Sequence, residues 1–371
     1  MRVLFVSPPG ICHFFPLVPL SWAFRLAGHE VLYAFAEHSD EAASAGLHVV
    51  DVAPGYSKLA VAGQNREQWE KMTSERLEDL NDFAPLLAEA NRPMVDGLIR
   101  LATRWRPDLV VHEQIATAGL LAAARIGVPA VQHNVGFTPT NGVHASVLKH
   151  LADLADRHDI GGTPEPVAVV EVVPPSMLPG GPEGWPIAFV PYNGGRILPD
   201  WLFERQDRPR IAVTLGSLAE QFTGLAAAEA IIRIAPAVDA EFVLALGDVD
   251  LGRLGQLPPN VRAVGWVPLT ALLKTCAAVV HHGGGSTTLT SLEAGTPQLV
   301  VPTLGDQPIN GEAVRDRGVG LTAPAGEVDA ALVRRLLAEE RFRTAAAEVR
   351  AEMRSLPSPA ETVSRLSALA A

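Results

Sequence analysis

The fold is decided by one stretch in the second half of the chain, Val279–Thr288, which reads VVHHGGGSTT. Its apolar start predicts a buried strand that ends in two histidines. Three glycines follow, which permit a tight turn and a close approach of the backbone to a ligand. Ser286 then starts a predicted helix, whose first N–H groups lack helical partners and lie at the positive end of the helix dipole. The pattern suits a bound diphosphate, and Ser286 as a plain helix cap is the alternative.

The alternation of apolar runs and helical segments extends in both directions from this stretch. The predicted strands are Val3–Ser7, Val31–Ala36, His48–Val52, Leu109–Val111, Ala130–Gln132, Ile211–Thr214, Phe242–Leu246, Ala277–Val280 and Gln298–Val301. The predicted helices between them include Leu17–Ala27, Glu41–Ala45 and Ala118–Arg125. Strands that alternate with helices predict the α/β class, with parallel sheets covered by helices on both faces.

Charged and proline-rich segments suggest how this pattern is divided. Residues 54–91 carry many charges without a clear strand and are interpreted as mobile helices and loops, and residues 159–166 as a loop. The charged segment Leu198–Arg210 contains prolines and has the composition of a linker. We therefore predict an N-terminal domain over 1–200, a C-terminal domain over 201–355, and a C-terminal helix over 356–371 that packs back on the N-terminal domain.

Composition limits the classes of function. The 371 residues are 48 % hydrophobic and 19 % charged, which suits two domains with large cores. The net charge of −11 argues against nucleic acid as the main partner. No apolar run reaches the roughly 20 residues of a membrane span, and the short apolar start Met1–Pro9 predicts a strand rather than a secretory signal. The two cysteines, Cys12 and Cys276, form neither a disulfide framework nor a metal-ligand pattern, which fits a cytoplasmic protein without a metal.

A second polar motif follows the next predicted strand. Asp306 and Gln307 lie in the run Pro302–Asn310, PTLGDQPIN. They should therefore lie at the carboxyl end of a strand, where ligands bind in open α/β sheets. Because adjacent carboxylate and amide groups can hydrogen-bond sugar hydroxyls, this motif predicts a sugar contact.

Together these motifs resemble the donor-binding signature of inverting glycosyltransferases with the GT-B fold. The matching pieces are His281–Thr288, Glu293–Pro297 and Gly305–Gln307, and shorter matches extend over nearly the whole chain. Among these enzymes the chain is most similar to the actinobacterial ones that glycosylate macrolides, enediynes and aromatic polyketides. The resemblance implies two Rossmann-like domains that face each other across a cleft, a nucleotide-sugar co-substrate and independence from metal ions.

The resemblance also implies which residues hold the donor. The diphosphate is expected to contact His282, the backbone of the glycine run and Ser217. The base is expected to contact Trp266 and the backbone of Val267. The sugar is expected to contact Asp306 and Gln307. The residues of the glycine run are Gly284, Gly285, Ser286 and Thr287. Ser286 stands where many relatives have glycine. Serine keeps the N–H and adds a hydroxyl, so phosphate binding is expected to survive.

A candidate base follows the first predicted strand. His13 lies at the start of a helix at the mouth of the N-terminal sheet, and histidine can take the acceptor's hydroxyl proton near neutral pH. Glu113 follows another buried strand at the same edge and would orient the imidazole, although relatives often have aspartate there. The alternatives are a histidine that caps the helix and a solvent-facing glutamate. His112 and His133 are substitute bases, and His144 is a structural or pocket-lining histidine.

The acceptor is expected in the N-terminal domain, where residues 54–91 are the natural place for specificity. Aromatic and sulfur-containing side chains there can line an apolar pocket, with a place in the core as the alternative for each. They are Phe14, Phe15, Trp69, Met72, Phe83 and Phe137.

The resemblance thus implies an inverting transferase of antibiotic biosynthesis that moves a hexose from a dTDP-sugar to a hydroxyl of a hydrophobic aglycone. Three alternatives are kept: a transferase that uses UDP-sugars, a nucleotide-sugar epimerase of the same fold, and a non-catalytic helper of a partner transferase. The oligomeric state stays open, a homodimer included.

Overall fold

The protein consists of two compact units, each built on its own parallel sheet. A computed structural model describes residues 1–37, 39–67, 69–70, 77, 79–204, 206–216, 225–247 and 249–370. Unit 1 comprises Met1–Pro175, Gly180–Tyr192 and the residues from Arg354 onward, and unit 2 comprises Ser176–Pro179 and Asn193–Met353. The contacts thus divide the chain between Tyr192 and Asn193, somewhat before the predicted boundary at residue 200.

Unit 1 contains seven strands in the order β3-β2-β1-β4-β5-β6-β7, all parallel. They are β1 (Arg2–Val6), β2 (Glu30–Phe35), β3 (Val49–Asp51), β4 (Leu109–Glu113), β5 (Ala130–His133), β6 (Ala168–Glu171) and β7 (Trp185–Pro186). The first five coincide with predicted strands to within about two residues at their ends. The sequence analysis missed β6 and the two-residue β7.

Helices cover the faces of this sheet. Their bounds are Ile11–Phe14, Val18–Leu26, Ser39–Ser44, Lys58–Gln64, Ala84–Trp105, Thr117–Ile126, Val143–His150 and Ala152–Arg157. The prediction of helices and loops up to residue 91 agrees with the helices Lys58–Gln64 and Ala84–Trp105, and residues 84–91 are the first two turns of the latter. The predicted mobility of this segment stays a prediction. The buried residues of Ala84–Trp105 pack in one hydrophobic cluster with those of Thr117–Ile126.

Unit 2 repeats this architecture with six parallel strands in the order β10-β9-β8-β11-β12-β13. They are β8 (Arg210–Thr214), β9 (Glu241–Ala245), β10 (Val261–Val264), β11 (Ala278–His281), β12 (Gln298–Val300) and β13 (Gly320–Thr322). The helices are Ala226–Ile234, Leu269–Leu273, Gly285–Ala294, Gln307–Asp316, Ala330–Ala338 and Glu340–Ser355. The α/β prediction is confirmed, although β10 and β13 were missed.

Short 3-10 segments complete the described structure. They are Phe15–Leu17, Leu80–Phe83, Pro175–Met177, Asp200–Phe203, Ala235–Ala237, Leu251–Leu254, Ala325–Glu327 and Ala368–Ala370. The predicted linker region therefore contains one turn of helix at Asp200–Phe203, and residues 159–166 form neither helix nor strand, as expected.

The C-terminal helix Pro359–Ser367 belongs to unit 1, where it packs on the helix Val18–Leu26. Its start is fixed by a capping box between Ser358 and Glu361. The guanidinium carbon of Arg365 lies 3.4 Å from the ring centroid of Trp185, next to the edge strand β7. These contacts attach the chain end to the sheet of unit 1.

The central strands are buried on both faces, as all-parallel sheets require. Val3, Leu4, Phe5 and Val6 of β1 have no exposed surface. The same holds for the apolar residues of β11, Ala278–Val280. Such strands can present polar side chains to ligands only at their ends, so the functional chemistry is expected at the carboxyl edge of each sheet.

No helix within the described part of the chain is long and apolar enough to cross a membrane. Within the described part of the chain, neither Cys12 nor Cys276 takes part in a disulfide. The expected reducing compartment stays a prediction.

The closest backbone approach in unit 1 gives a test of the packing. A Cβ on Gly97 would lie 1.8 Å from the carbonyl oxygen of Val52, so the helix Ala84–Trp105 would have to move away from the sheet. Gly97→Ala should lower the free energy of unfolding by roughly 3 kcal/mol, measured by urea denaturation. The matched control is Gly63→Ala, since Gly63 is also helical but has nothing near its Cβ position. The control should be neutral or slightly stabilising, and an equal loss in both variants would contradict the packing argument.

Candidate functional site

The glycine loop of unit 2 joins the end of β11 to a helix N-terminus. The helix begins at Gly285, one residue before the predicted start, and Gly284 occupies the N-cap position without a side chain to cap it. The first N–H groups of the helix therefore have no side-chain partner from the cap residue, which favours an anionic ligand. Ser286 and Thr287 lie in this first turn and are partly exposed.

Gly283 makes the turn possible. Its φ of +92° lies in the region that favours glycine, and a Cβ there would be 2.7 Å from Cγ1 of Val300 and 3.0 Å from the carbonyl oxygen of Gln307. The backbone thus packs directly against the next strand and the next helix. Any side chain at this position would displace the loop.

The two histidines at the end of β11 have different roles. His281 is fully buried, with Nε2 2.7 Å from Oε1 of Gln298, and its Nδ1 accepts a hydrogen bond from the backbone N–H of Gly283 at 3.0 Å. Burial lowers the pKa of His281 to about 3, so this ring is neutral. His281 therefore fixes the start of the glycine loop and is a structural residue that the sequence analysis did not assign.

His282, in contrast, lies partly exposed between two glycines. Cβ atoms on Gly216 and Gly284 would lie 2.6 Å and 2.4 Å from its Nε2, so both neighbours must be small. Its Nδ1 is buried and has no hydrogen-bond partner among the described residues. Burial lowers the pKa of His282 to about 4. At neutral pH this ring can donate one hydrogen bond to an anion but carries no positive charge.

Two other predicted donor residues stand at the edge of the same unit. The Nε1–H of Trp266 donates to the backbone oxygen of Asn193 at 3.3 Å, which orients the partly exposed indole ring. The side chain of Val267 packs against a buried cluster, so only its backbone can serve a ligand. Asn193 also accepts a hydrogen bond from the N–H of Thr270 through Oδ1, at 3.0 Å. Asn193 thus contacts both Trp266 and the helix that follows it, and the sequence analysis gave it no role.

The loop after β12 carries Asp306 and Gln307, as predicted, but their environments differ. Asp306 is partly exposed and occupies the N-cap position of the helix Gln307–Asp316. Gln307 is buried, and its Oε1 accepts hydrogen bonds from both the N–H and the hydroxyl of Thr303, at 2.9 Å and 2.8 Å. The carbonyl end of Gln307 thus holds its own loop, and only its amino group is left for the predicted sugar contact. Ser217 lies outside the described residues.

In unit 1 the structure brings the candidate base and its carboxylate together. Nδ1 of His13 lies 2.8 Å from Oε1 of Glu113, and the other carboxylate oxygen accepts the N–H of Ile115 at 2.7 Å. Glu113 is completely buried at the end of β4, whereas the side chain of His13 is 25 % exposed. The extra methylene of glutamate therefore does not prevent the contact, and the imidazole lies between a buried anion and open space.

The electrostatics of this pair favour the charged imidazole. Burial lowers the pKa of His13, but the Cys12 side chain and the carboxylate of Glu113 raise it by more, so the pKa lies well above its usual value. Glu113 thus stabilises the imidazolium, and the ring can accept a proton only in its neutral form, which is the minor form near neutral pH in the absence of substrate.

Three buried histidines of unit 1 are not substitutes for His13. His112 and His133 are buried, and burial lowers the pKa of each to about 4. His144 is also buried, with Nδ1 2.8 Å from the hydroxyl of Thr117 and Nε2 3.0 Å from Oε1 of Gln132. The prediction that His112 or His133 could replace His13 is therefore wrong, since neither ring presents surface to a substrate.

Most of the aromatic residues predicted for the acceptor pocket lie in the core. Phe14 is fully buried against Tyr33, with ring centroids 4.8 Å apart, and Phe83 packs within the main cluster of unit 1. Phe137 is also buried, so for these three the prediction is wrong in this structure. Phe15 and Trp69 are partly exposed, and Phe15 packs edge-on against Tyr192 at 5.1 Å.

Met72 lies outside the described residues. Within the described ranges, no group of three or more histidine, cysteine or acidic side chains is placed to hold a metal ion.

Family models match nearly the whole chain. Residues 22–216 match the N-terminal domain and residues 229–369 the C-terminal domain of the "Erythromycin biosynthesis protein CIII-like" family. The two matches fall on both parallel-sheet units, and the N-terminal match begins after β1.

Individual relatives agree with the family match. The chain is 41 % identical to the elloramycin glycosyltransferase ElmGT of Streptomyces olivaceus, over 99 % of this chain and 97 % of that protein. It is similar to the crystal structure of the glycosyltransferase SnogD from Streptomyces nogalater, with a TM-score of 0.89, 42 % identity and coverage of 100 % and 99 %. It is also similar to SsfS6 from Streptomyces sp. SF2575 complexed with thymidine diphosphate, with a TM-score of 0.83, 29 % identity and 99 % coverage of both chains.

The charge of Glu113 can be tested through the pKa of His13. Glu113→Gln should lower that pKa, because it removes a negative charge 2.8 Å from Nδ1, and an NMR titration of the ring measures the shift. Because the pKa is raised in the folded state, the pair stabilises the fold fully below about pH 6.5, the usual value. That stabilisation is lost as the pH rises through the raised pKa.

The loss of unfolding free energy caused by Glu113→Gln should therefore be largest below about pH 6.5. It should become smaller as the pH rises through the raised pKa of His13. Glu165→Gln, which changes an exposed carboxylate elsewhere in unit 1, is the control. An unchanged pKa of His13 in Glu113→Gln would show that the contact is electrostatically unimportant.

Proposed function

The chain belongs to the EryCIII-like family of glycosyltransferases, with the GT-B fold, and we propose that it transfers a deoxyhexose from a dTDP-sugar to a hydroxyl of a hydrophobic aglycone. The reaction would proceed with inversion at the anomeric carbon. The enzyme class and its place in natural-product biosynthesis follow from membership of the family. The observation that carries the proposed chemistry is the 2.8 Å contact between His13 and the buried Glu113.

Thymidine diphosphate is the nucleotide favoured for the donor. A related enzyme of the same fold, SsfS6, has been crystallised with thymidine diphosphate. The glycine loop offers what a diphosphate requires, namely a helix N-terminus without a side-chain cap and the neutral His282 ring beside it. Trp266, held by Asn193, is suited to pack against the base.

Acceptor activation is assigned to His13. The acceptor hydroxyl loses its proton to Nε2 while its oxygen attacks the anomeric carbon, and the bond to the diphosphate oxygen breaks as the new bond forms. Glu113 holds Nδ1–H and stabilises the imidazolium. The nucleoside diphosphate leaves with the bonding electron pair, and its charge is compensated by the helix N-terminus at Gly285 rather than by a charged His282. No step requires a metal ion.

A calorimetric titration tests the donor site. Wild-type protein should bind dTDP more tightly than UDP, and His282→Ala should weaken dTDP binding by about tenfold, since one hydrogen bond to a charged group is lost. His48→Ala, which alters an exposed histidine of unit 1, should bind like the wild type. Tighter binding of UDP would indicate a UDP-sugar donor and would leave the proposed transferase activity unchanged. Binding of neither nucleotide would favour the helper alternative.

Turnover tests the base. His13→Ala should lower kcat by about 10²- to 10⁴-fold, the usual contribution of a general base, with dTDP affinity unchanged. The assay follows transfer from a dTDP-sugar to an aromatic polyketide or macrolide aglycone. Activity in the presence of EDTA should equal activity without it, and a loss would contradict independence from metal ions. Conversion of the donor sugar without any acceptor would instead favour the epimerase.

A further inference from the structure

The side chain of Asn310 joins the two loops of unit 2 that carry the proposed donor residues. Its Nδ2 donates to the carbonyl oxygen of Gly283 at 2.6 Å and to Oδ2 of Asp306 at 3.0 Å, and the residue has no exposed surface. We propose that Asn310 is a positioning residue that sets both the direction of the Gly284 N–H and the plane of the Asp306 carboxylate. This role rests on the donor site proposed above.

The partners of Asn310 determine the orientation of its amide group. A backbone carbonyl and a carboxylate are both acceptors, so only the amino group can face them. The oxygen Oδ1 then points elsewhere, and it is buried without a hydrogen-bond partner among the described residues. Leaving a buried acceptor unpaired costs stability. At this position Oδ1 therefore stays unpaired, while the amino group donates one hydrogen bond to each of the two loops.

The hydrogen bond to Gly283 acts on the predicted phosphate contact. The carbonyl of Gly283 and the N–H of Gly284 share one planar trans peptide and point in opposite directions. Asn310 draws the carbonyl toward itself, so the Gly284 N–H is directed away from Asn310. The other side of Gly283 is held as well, since its N–H donates to Nδ1 of His281 at 3.0 Å. The loop is thus fixed on both sides before a ligand arrives.

The second hydrogen bond acts on the predicted sugar contact. Asp306 and Asn310 are four residues apart at the start of the helix Gln307–Asp316, where the backbone N–H of Asn310 also donates to the carbonyl oxygen of Asp306 at 3.2 Å. A charge-assisted bond to Oδ2 restricts rotation of the carboxylate. A sugar held by a rotating carboxylate would reach the reactive orientation less often, which lowers kcat.

A double-mutant cycle separates positioning from simple stabilisation. Asn310→Ala should weaken dTDP binding by about tenfold and should lower kcat with a dTDP-sugar by a further factor of roughly 10 to 100. Asp306→Ala alone should lower kcat but leave dTDP binding almost unchanged. In the Asp306→Ala background, Asn310→Ala should change kcat by less than about threefold and should still weaken dTDP binding by about tenfold.

The control is Asn260→Ala. Asn260 also uses Nδ2 to hold backbone carbonyls of unit 2, those of Ala235, Val238 and Ala240, but it lies just before β10, away from the glycine loop. The variant Asn260→Ala should lower the thermal stability of the protein without altering its affinity for dTDP or its kcat. If Asn310→Ala does not fold, Asn310→Ser is the second variant, since its uncharged hydroxyl is too short to reach both acceptors, and it should give the same losses.

The outcomes distinguish this role from the proposed function. The positioning role would be overturned if Asn310→Ala bound dTDP as tightly as the wild type. It would also be overturned if the kcat effects of Asn310→Ala and Asp306→Ala were independent, so that they multiplied in the double variant. Neither result would contradict the proposed transferase activity. Absence of dTDP binding in the wild type would overturn the donor site itself. Loss of kcat in Asn260→Ala equal to that in Asn310→Ala would show that the effect is one of general stability.

Discussion

Burial of both faces of each parallel sheet is the constraint on which the rest of the structure depends. The apolar residues of strands such as β1 and β11 have no exposed surface. Polar groups can therefore be accommodated only where a strand ends and the chain turns into the next helix. Glu113 ends β4 and His281 ends β11, so each unit places its buried polar chemistry at the carboxyl edge of its sheet.

Two histidines at such edges acquire opposite electrostatic characters. Burial alone would lower the pKa of each ring. His282 has no carboxylate partner in the described structure, and its pKa falls to about 4. His13 lies 2.8 Å from a fully buried carboxylate, and its pKa rises. The same residue type is thus neutral in unit 2 and favours its charged form in unit 1.

The sequence was informative where a single physical effect dominated. Short runs of mostly apolar residues located β1 to β5, because strands buried on both faces carry few polar residues. The strands β10 and β13 were missed, since residues such as Arg262 and Gly320 interrupt the apolar pattern. The phenylalanines could not be sorted from sequence, because the same ring serves a core or a ligand pocket. Only packing shows that Phe14 lies against Tyr33.

By itself the sequence determined the α/β class, the glycine loop before a helix, the placement of Glu113 at a strand end and that of His13 in the segment after β1, since these follow from local chain geometry and apolar periodicity. The tertiary structure alone decided the contacts that depend on residues far apart in the chain. These include the His13–Glu113 hydrogen bond across 100 positions and the Asn310–Gly283 bond across 27. The reason is that a hydrogen bond requires a donor and an acceptor within about 3 Å, and only the packed sheets and helices set that distance.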